Sequence, residues 1–140
     1  MNLRISTDPA EFDIGMIHRF LAEESYWARG IDRSVLERAL AHSLCFGGFI
    51  AGVQVAFARV VTDRATFAHL KDVFVLGPHR GRGCGVALMQ AVLAHPDLQT
   101  VAMTLSTDDA HTLYSRFGFV PYDHPERGMV RPGRFLPAAT

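Results

Sequence analysis

No stretch of this chain approaches the about eighteen continuous apolar residues that a membrane-spanning helix needs, so none is expected. The first twelve residues carry Arg4, Asp8 and Glu11 and lack the apolar core of a secretory signal. Cysteine is scarce: Cys45 and Cys84 make no disulfide framework, and a reducing cytoplasm is the expected home. Excess charge is missing too. Fourteen basic residues balance fourteen acidic ones, which argues against a nucleic-acid partner, because displacing phosphate counterions needs a basic footprint. The seven histidines are scattered, His-Glu-x-x-His and Cys-x-x-Cys are absent, and no metal site is expected. Repeats, linkers and low-complexity runs are also lacking. What remains is an ordinary globular composition, 49% hydrophobic and 20% charged, over 140 residues that suit one domain, 1–140.

Periodicity divides the chain. Leu3 to Ser6 reads as a short strand. Asp8, Pro9 and Glu11 make a helix start, with Ile14, Ile17 and Leu21 at helical spacing behind it. A second helix is predicted after Ser34, with Glu37 three residues on and Leu36, Ala39 and Leu40 as its apolar stripe. Leu44 to Ile50, Val53 to Val61 and Thr66 to Leu76 are strands whose short links leave no room for crossovers, so they form an antiparallel meander. After Gly85 the period turns helical until His95-Pro96 stops it. Val101 to Leu105 alternates as a half-buried strand. Ala110, Leu113, Tyr114 and Phe117 form a last helix, ended by Gly118, and Phe119 to Tyr122 restarts a strand. The result is a mixed α/β (α+β) chain with an antiparallel first half.

The segment that carries chemistry begins at Val73-Phe74-Val75, passes Gly77-Pro78, and reaches Arg80-Gly81-Arg82-Gly83-Cys84-Gly85 before a helix. Glycines at alternate positions remove β-carbons where a backbone must approach an anion. The helix behind them points its unpaired N–H groups and positive dipole end at that anion. Arg80 and Arg82 add charge-assisted donors suited to phosphate oxygens. A nucleotide P-loop would show a lysine here. A dinucleotide fold would open its first βα unit with Gly-x-Gly-x-x-Gly, whereas this loop follows a meander in mid-chain.

Val75 through Gly85 resembles the acyl-CoA signature of the GNAT superfamily of N-acetyltransferases, Arg/Gln-x-x-Gly-x-Gly/Ala. The downstream segment from Ala110 to Phe119 is similar to that family's second signature, Ala-x-x-Leu-Tyr-x-x-x-Gly-Phe. One departure is Thr107, where many members carry asparagine ahead of the last helix. The resemblance implies a mostly antiparallel twisted sheet of six to seven strands with four helices and a splayed central parallel pair. It implies acetyl-CoA as cosubstrate, with no metal, and direct transfer of the acetyl group to a primary amine. Pantetheine would enter the splay and bond to backbone at Val73, Phe74 and Val75, and Arg80, Gly81, Arg82, Gly83, Cys84 and Gly85 would hold the pyrophosphate.

Tyr114 is placed by the resemblance near the sulfur, where a phenol can protonate the departing thiolate; it also lies on its helix's apolar stripe, which suits core packing. His69 and Asp72 are both candidate bases. Strand alternation puts them on opposite faces, so one of them, or a water chain, would serve. His111 lies one helical turn before Tyr114. Tyr26, Trp27 and Arg29 fall between the first two helices, where the family builds its acceptor pocket, although aromatics there also pack helix pairs. Arg59 suits a substrate carboxylate, although a strand arginine more often faces solvent or is paired. Cys84 has no base placed to make it a nucleophile. The expected partner is a small-molecule or peptide amine, with no nucleic acid and no membrane, and a homodimer could use the apolar Phe135-Leu136. The competing reading is a non-catalytic acyl-CoA-binding module.

Overall fold

Short turns between successive strands dictate antiparallel neighbours. The computed structural model describes residues 2–137. Strands β1 (Leu3–Ser6), β2 (Leu44–Ile50), β3 (Val53–Thr62), β4 (Phe67–Val75) and β5 (Ala102–Thr104) form one sheet in sequence order. The first four pair antiparallel. The Ala51-Gly52 turn joins β2 to β3 with both residues left-handed, φ +51° and +79°. The carboxylate of Asp63 gathers the N–H groups of Ala65, Thr66 and Phe67 at 2.8–3.0 Å and so folds the link into β4. Only β5 is parallel to its neighbour, because helix α3 (Cys84–Ala94) separates it from β4 as a crossover.

Helices cover both faces. Leu88, Met89 and Val92 of α3 pack on Val55, Ala58, Val60 and Leu70. On the other face lie α1 (Ile14–Arg19), its π-helical continuation Phe20–Glu24, and α2 (Arg33–Ala41). Their Ile17, Phe20, Leu21 and Leu36 meet Cys45, Phe57 and Phe74. Phe20 stacks on Phe74 with centroids 4.0 Å apart. The short helix α4 (His111–Ser115) follows β5.

The mixed α/β architecture agrees with expectation, while several boundaries differ. Five strands are present among the described residues rather than six to seven. Phe119 to Tyr122 does not pair: Pro121 offers no ladder N–H, and Val120 and Tyr122 stand 82% and 63% exposed. Asp8 caps only a single 3₁₀ turn, Pro9–Glu11; the chain re-extends at Phe12, and Asp13 caps α1 by accepting from Met16 N at 3.0 Å. The second helix starts one residue before Ser34, at Arg33, and Glu37 pairs with Arg33 one turn back instead of closing a capping box.

Candidate active site

β4 and β5 are joined by three residue pairs, Phe67 with Ala102, Ala68 with Met103 and His69 with Thr104. Beyond His69 and Thr104 the strands part. A cavity of about 330 Å³ fills the space between Leu70 to Val73 on one side and Leu105 to Ala110 on the other, with Tyr26, Trp27 and Tyr114 also lining it.

The β4 wall leads into the glycine loop. After Val75 a 3₁₀ turn, Gly77–His79, brings Arg80 back so that its Nε donates to Val75 O at 2.9 Å. Arg80 thereby ties the loop to the strand end. Gly81 and Gly83 take φ of +76° and +83°, a region open to glycine at little cost, and a β-carbon on either would meet nothing within 4 Å. The loop surface is therefore open to a ligand. Ala87 N pairs with Gly83 O at 3.0 Å, so the N–H groups of Gly85 and Val86 in the first turn have no intrahelical acceptor. Arg82 is exposed beside them, and Cys84 is buried. Open glycines, a helix start and an arginine fit the pyrophosphate of an acyl-CoA.

Tyr114 reaches the cavity from α4 while 9% exposed, with its ring edge-on to Phe119. It is both a packed aromatic and a wall of the cavity. Burial, followed by the neighbouring Tyr26 and Asp109, pushes its hydroxyl up to about 12, so it stays a proton donor at neutral pH. Thr107 closes the entry to α4: its Oγ1 accepts from Ala110 N at 3.0 Å. His111 is exposed and lines a neighbouring apolar groove instead.

The expectation that His69 and Asp72 face opposite sides is corrected by a β-bulge. Phe57 pairs with Phe74 and Arg59 with Lys71, so Asp72 and Val73 together oppose Ala58. Asp72 absorbs the extra residue with φ +54°, and the slip in parity lets His69 and Asp72 line one cavity. Their states differ. His69 Nδ1 lies 2.7 Å from Thr104 Oγ1. Burial, then the charges of Lys71 and Arg59, lower its pKa, which keeps the ring neutral and able to accept a proton. Both carboxylate oxygens of Asp72 are engaged: Oδ1 accepts from Trp27 Nε1 at 2.8 Å and Oδ2 from Arg59 Nε at 2.7 Å. Arg59 in turn donates to Ser43 Oγ at 3.2 Å, and Ser43 Oγ donates to Ala39 O at 2.7 Å. Asp72 and the half-buried Arg59 thus form a pair that braces Trp27.

Tyr26 stands edge-on to Trp27, centroids 5.0 Å apart, and its hydroxyl accepts from Asp108 N at 3.0 Å, linking the α1–α2 connector to the loop after β5. Arg29 is exposed and lies away from the cavity lining. Phe74 is core, so only its backbone can serve a ligand. Sequence reading passed over Ser43, Lys71, Thr104, Asp108 and Asp109. Of these only Thr104 carried a signal, through its place on the alternating strand β5.

Comparison with known proteins agrees with this geometry. Residues 41–121 match the acetyltransferase (GNAT) domain family. A Gibberella zeae protein named as an acetyltransferase is 31% identical over 141 residues, which cover 84% of this chain and 79% of that protein. A Xanthomonas campestris structure ascribed to the GNAT family shares 53% identity, with a TM-score of 0.93 over 97% of this chain and 96% of that one. A GNAT acetyltransferase from Elizabethkingia anophelis with acetyl-CoA bound shares the fold, at 18% identity and a TM-score of 0.64, over 87% of this chain and 78% of its own. Among the described residues no group of histidine, cysteine and carboxylate side chains is placed to hold a metal, and no helix is long and apolar enough to cross a membrane. With a glycine-arginine loop before α3, a splayed parallel pair and a buried tyrosine at the cavity between them, the chain belongs to the GNAT acetyltransferase family.

Proposed function

We propose that the chain transfers an acetyl group from acetyl-CoA to the primary amine of a small-molecule or peptide acceptor. The observation that carries this reading is the parting of β4 from β5 after His69 and Thr104, with a cavity between them lined by Tyr114 and by the strand that runs on into the glycine loop. Acetyl-CoA supplies an activated thioester: the amine nitrogen bonds to the acetyl carbon, the C–S bond breaks, and coenzyme A leaves as a thiol. Arg82, Gly81, Gly83 and the first turn of α3 hold the pyrophosphate, and backbone of Val73 to Val75 aligns the pantetheine. A backbone N–H of the splayed strand β4 stabilises the negative charge developing on the carbonyl oxygen. Tyr114 gives its proton to the sulfur, whose thiolate form has a reference pKa of about 8.5. His69, neutral and anchored on Thr104, takes the proton that the amine loses. Tyr26 and Trp27 wall the acceptor side.

The balanced net charge supports a small acceptor rather than nucleic acid. A homodimer using the apolar tail at Phe135-Leu136, where Phe135 is 45% exposed, belongs to the same proposal, and light scattering tests it. The test of the reaction is twofold. Acetyl-CoA raises the unfolding midpoint of the purified chain while ATP and NAD do not, and an amine panel with acetyl-CoA releases thiol. A shift with ATP or NAD alone refutes the proposal. A shift with acetyl-CoA but no thiol release across the panel leaves a binding module instead of an enzyme.

A further inference from the structure

The chain has a single lysine, Lys71, among its fourteen basic residues, and that lysine lines the cavity. It stands on the β4 wall beside the bulge, with its Nζ 5.8 Å from the centroid of the Phe135 ring. Its neighbour Asp72 is committed to Arg59 and Trp27 and cannot neutralise it. The opposite wall, the loop between β5 and α4, carries Asp108 and Asp109. Among the described residues no ion pair joins Lys71, Asp108 or Asp109 to an opposite charge. These charges reach into the cavity: Lys71, after burial, holds down the pKa of His69, and Asp109 contributes to raising that of Tyr114.

The lining is therefore polarised, with a basic residue on the β4 wall and two acidic residues at the Tyr114 end, Asp109 near enough to act on the tyrosine. A simple amine would match one end only, whereas an amine that also carries an anion matches both. The match has the correct polarity for the reaction, because the ammonium is drawn toward the tyrosine placed to protonate the leaving sulfur. The aromatic faces of Tyr26 and Trp27 accommodate the carbon skeleton in between.

We infer that the acceptor is a small amine bearing an anionic group, carboxylate or phosphate, which Lys71 holds while Asp108 and Asp109 orient the amino group toward Tyr114. This inference rests on the acetyl-transfer reading above.

Matched pairs test it: serine against ethanolamine, tyrosine against tyramine, and phosphoethanolamine against ethanolamine, each with the full chain and saturating acetyl-CoA in a thiol-release assay. In at least one pair the anionic member shows kcat/KM higher by about tenfold, expressed mainly in KM, as expected for one charge-assisted contact. The pair that responds separates carboxylate from phosphate. Lys71→Met moves that ratio toward one, and Lys71→Arg restores part of it. Plain amines that react as well as or better than their anionic partners in every pair overturn the inference. So does a Lys71→Met variant that depresses both members alike, or an acetyl-CoA-binding protein that acetylates no anionic amine. If acetyl-CoA neither shifts the unfolding midpoint nor releases thiol with any amine, the acetyl-transfer reading itself has failed.

Discussion

The indole N–H of Trp27 rests on Asp72 Oδ1, 2.8 Å away, while the other oxygen of the same carboxylate takes the Arg59 guanidinium at 2.7 Å. One buried acid therefore fixes both a wall of the cavity and the position of a strand arginine. Asp72→Asn keeps a side chain that tolerates φ +54° but leaves the half-buried Arg59 without a counter-charge. We expect a loss of about 3 kcal/mol in urea unfolding at neutral pH. Trp27→Phe removes a single hydrogen bond and costs about 1 kcal/mol. Equal losses for the two variants would contradict the assignment of Asp72 as a brace. Trp27 is also the sole tryptophan, so its emission reports directly on this wall.

Tyr114 should leave a signature in alkaline solution. Its hydroxyl titrates at about 12 in the folded chain against an ordinary value of 10.0. Between those values the folded state keeps a proton that the unfolded chain has lost, so stability falls as pH rises, by about 1.4 kcal/mol per pH unit. Tyr114→Phe flattens that slope. In turnover the same variant lowers kcat by about a hundredfold, as for loss of a general acid. Turnover unchanged across pH would remove Tyr114 from the chemistry.

Gly81 and Gly83 separate strain from sterics. An added β-carbon meets no protein atom within 4 Å, so alanine at either position costs only the left-handed backbone, about 1 kcal/mol. That β-carbon does occupy the surface offered to phosphate. We therefore expect KM for acetyl-CoA to rise by about tenfold with KM for the amine nearly constant. A change confined to the amine KM would place the pyrophosphate elsewhere.

His69 gives the acid side of the profile. Its pKa is depressed below 6.5, so as pH falls past 6.5 the unfolded chain binds a proton before the folded chain does, and stability declines toward the folded pKa. The acid limb of kcat/KM is expected below pH 6.5. His69→Gln removes the limb along with most of the rate, and a limb that persists in the variant assigns the base to another group.

Elements set by local rules were legible from the residues. Leu44–Ile50 and Leu3–Ser6 follow from apolar runs closed by turn residues, and Gly118 ends the last helix left-handed, φ +88°. The glycine-arginine loop was readable as a turn into a helix because its chemistry is local, and Gly81 and Gly83 take the left-handed conformation that only glycine adopts freely. The bulge at Asp72 was not legible, since no residue type there demands it. At the bulge Arg59 and Trp27, thirteen and forty-five residues away, converge on the Asp72 carboxylate. Which partners Asp72 and Arg59 take was not legible either: alternation specifies a face, whereas occupancy of a side chain depends on partners distant in sequence. Asp108 and Asp109 were passed over because their importance comes from facing Lys71 across a gap that only the tertiary structure creates.

The short seam between β4 and β5 gives the cosubstrate a second part to play. Three residue pairs stitch the last strand to the meander, and the Tyr26–Asp108 bond adds a tack at the far end. A pantetheine arm laid in the opening, as proposed, stands in for the missing rungs of the ladder. The enzyme is then mended by the molecule it consumes, stiffening when it loads and slackening when spent coenzyme departs. Protease resistance of the loop between β5 and α4 becomes a gauge of how much acetyl-CoA the surroundings hold.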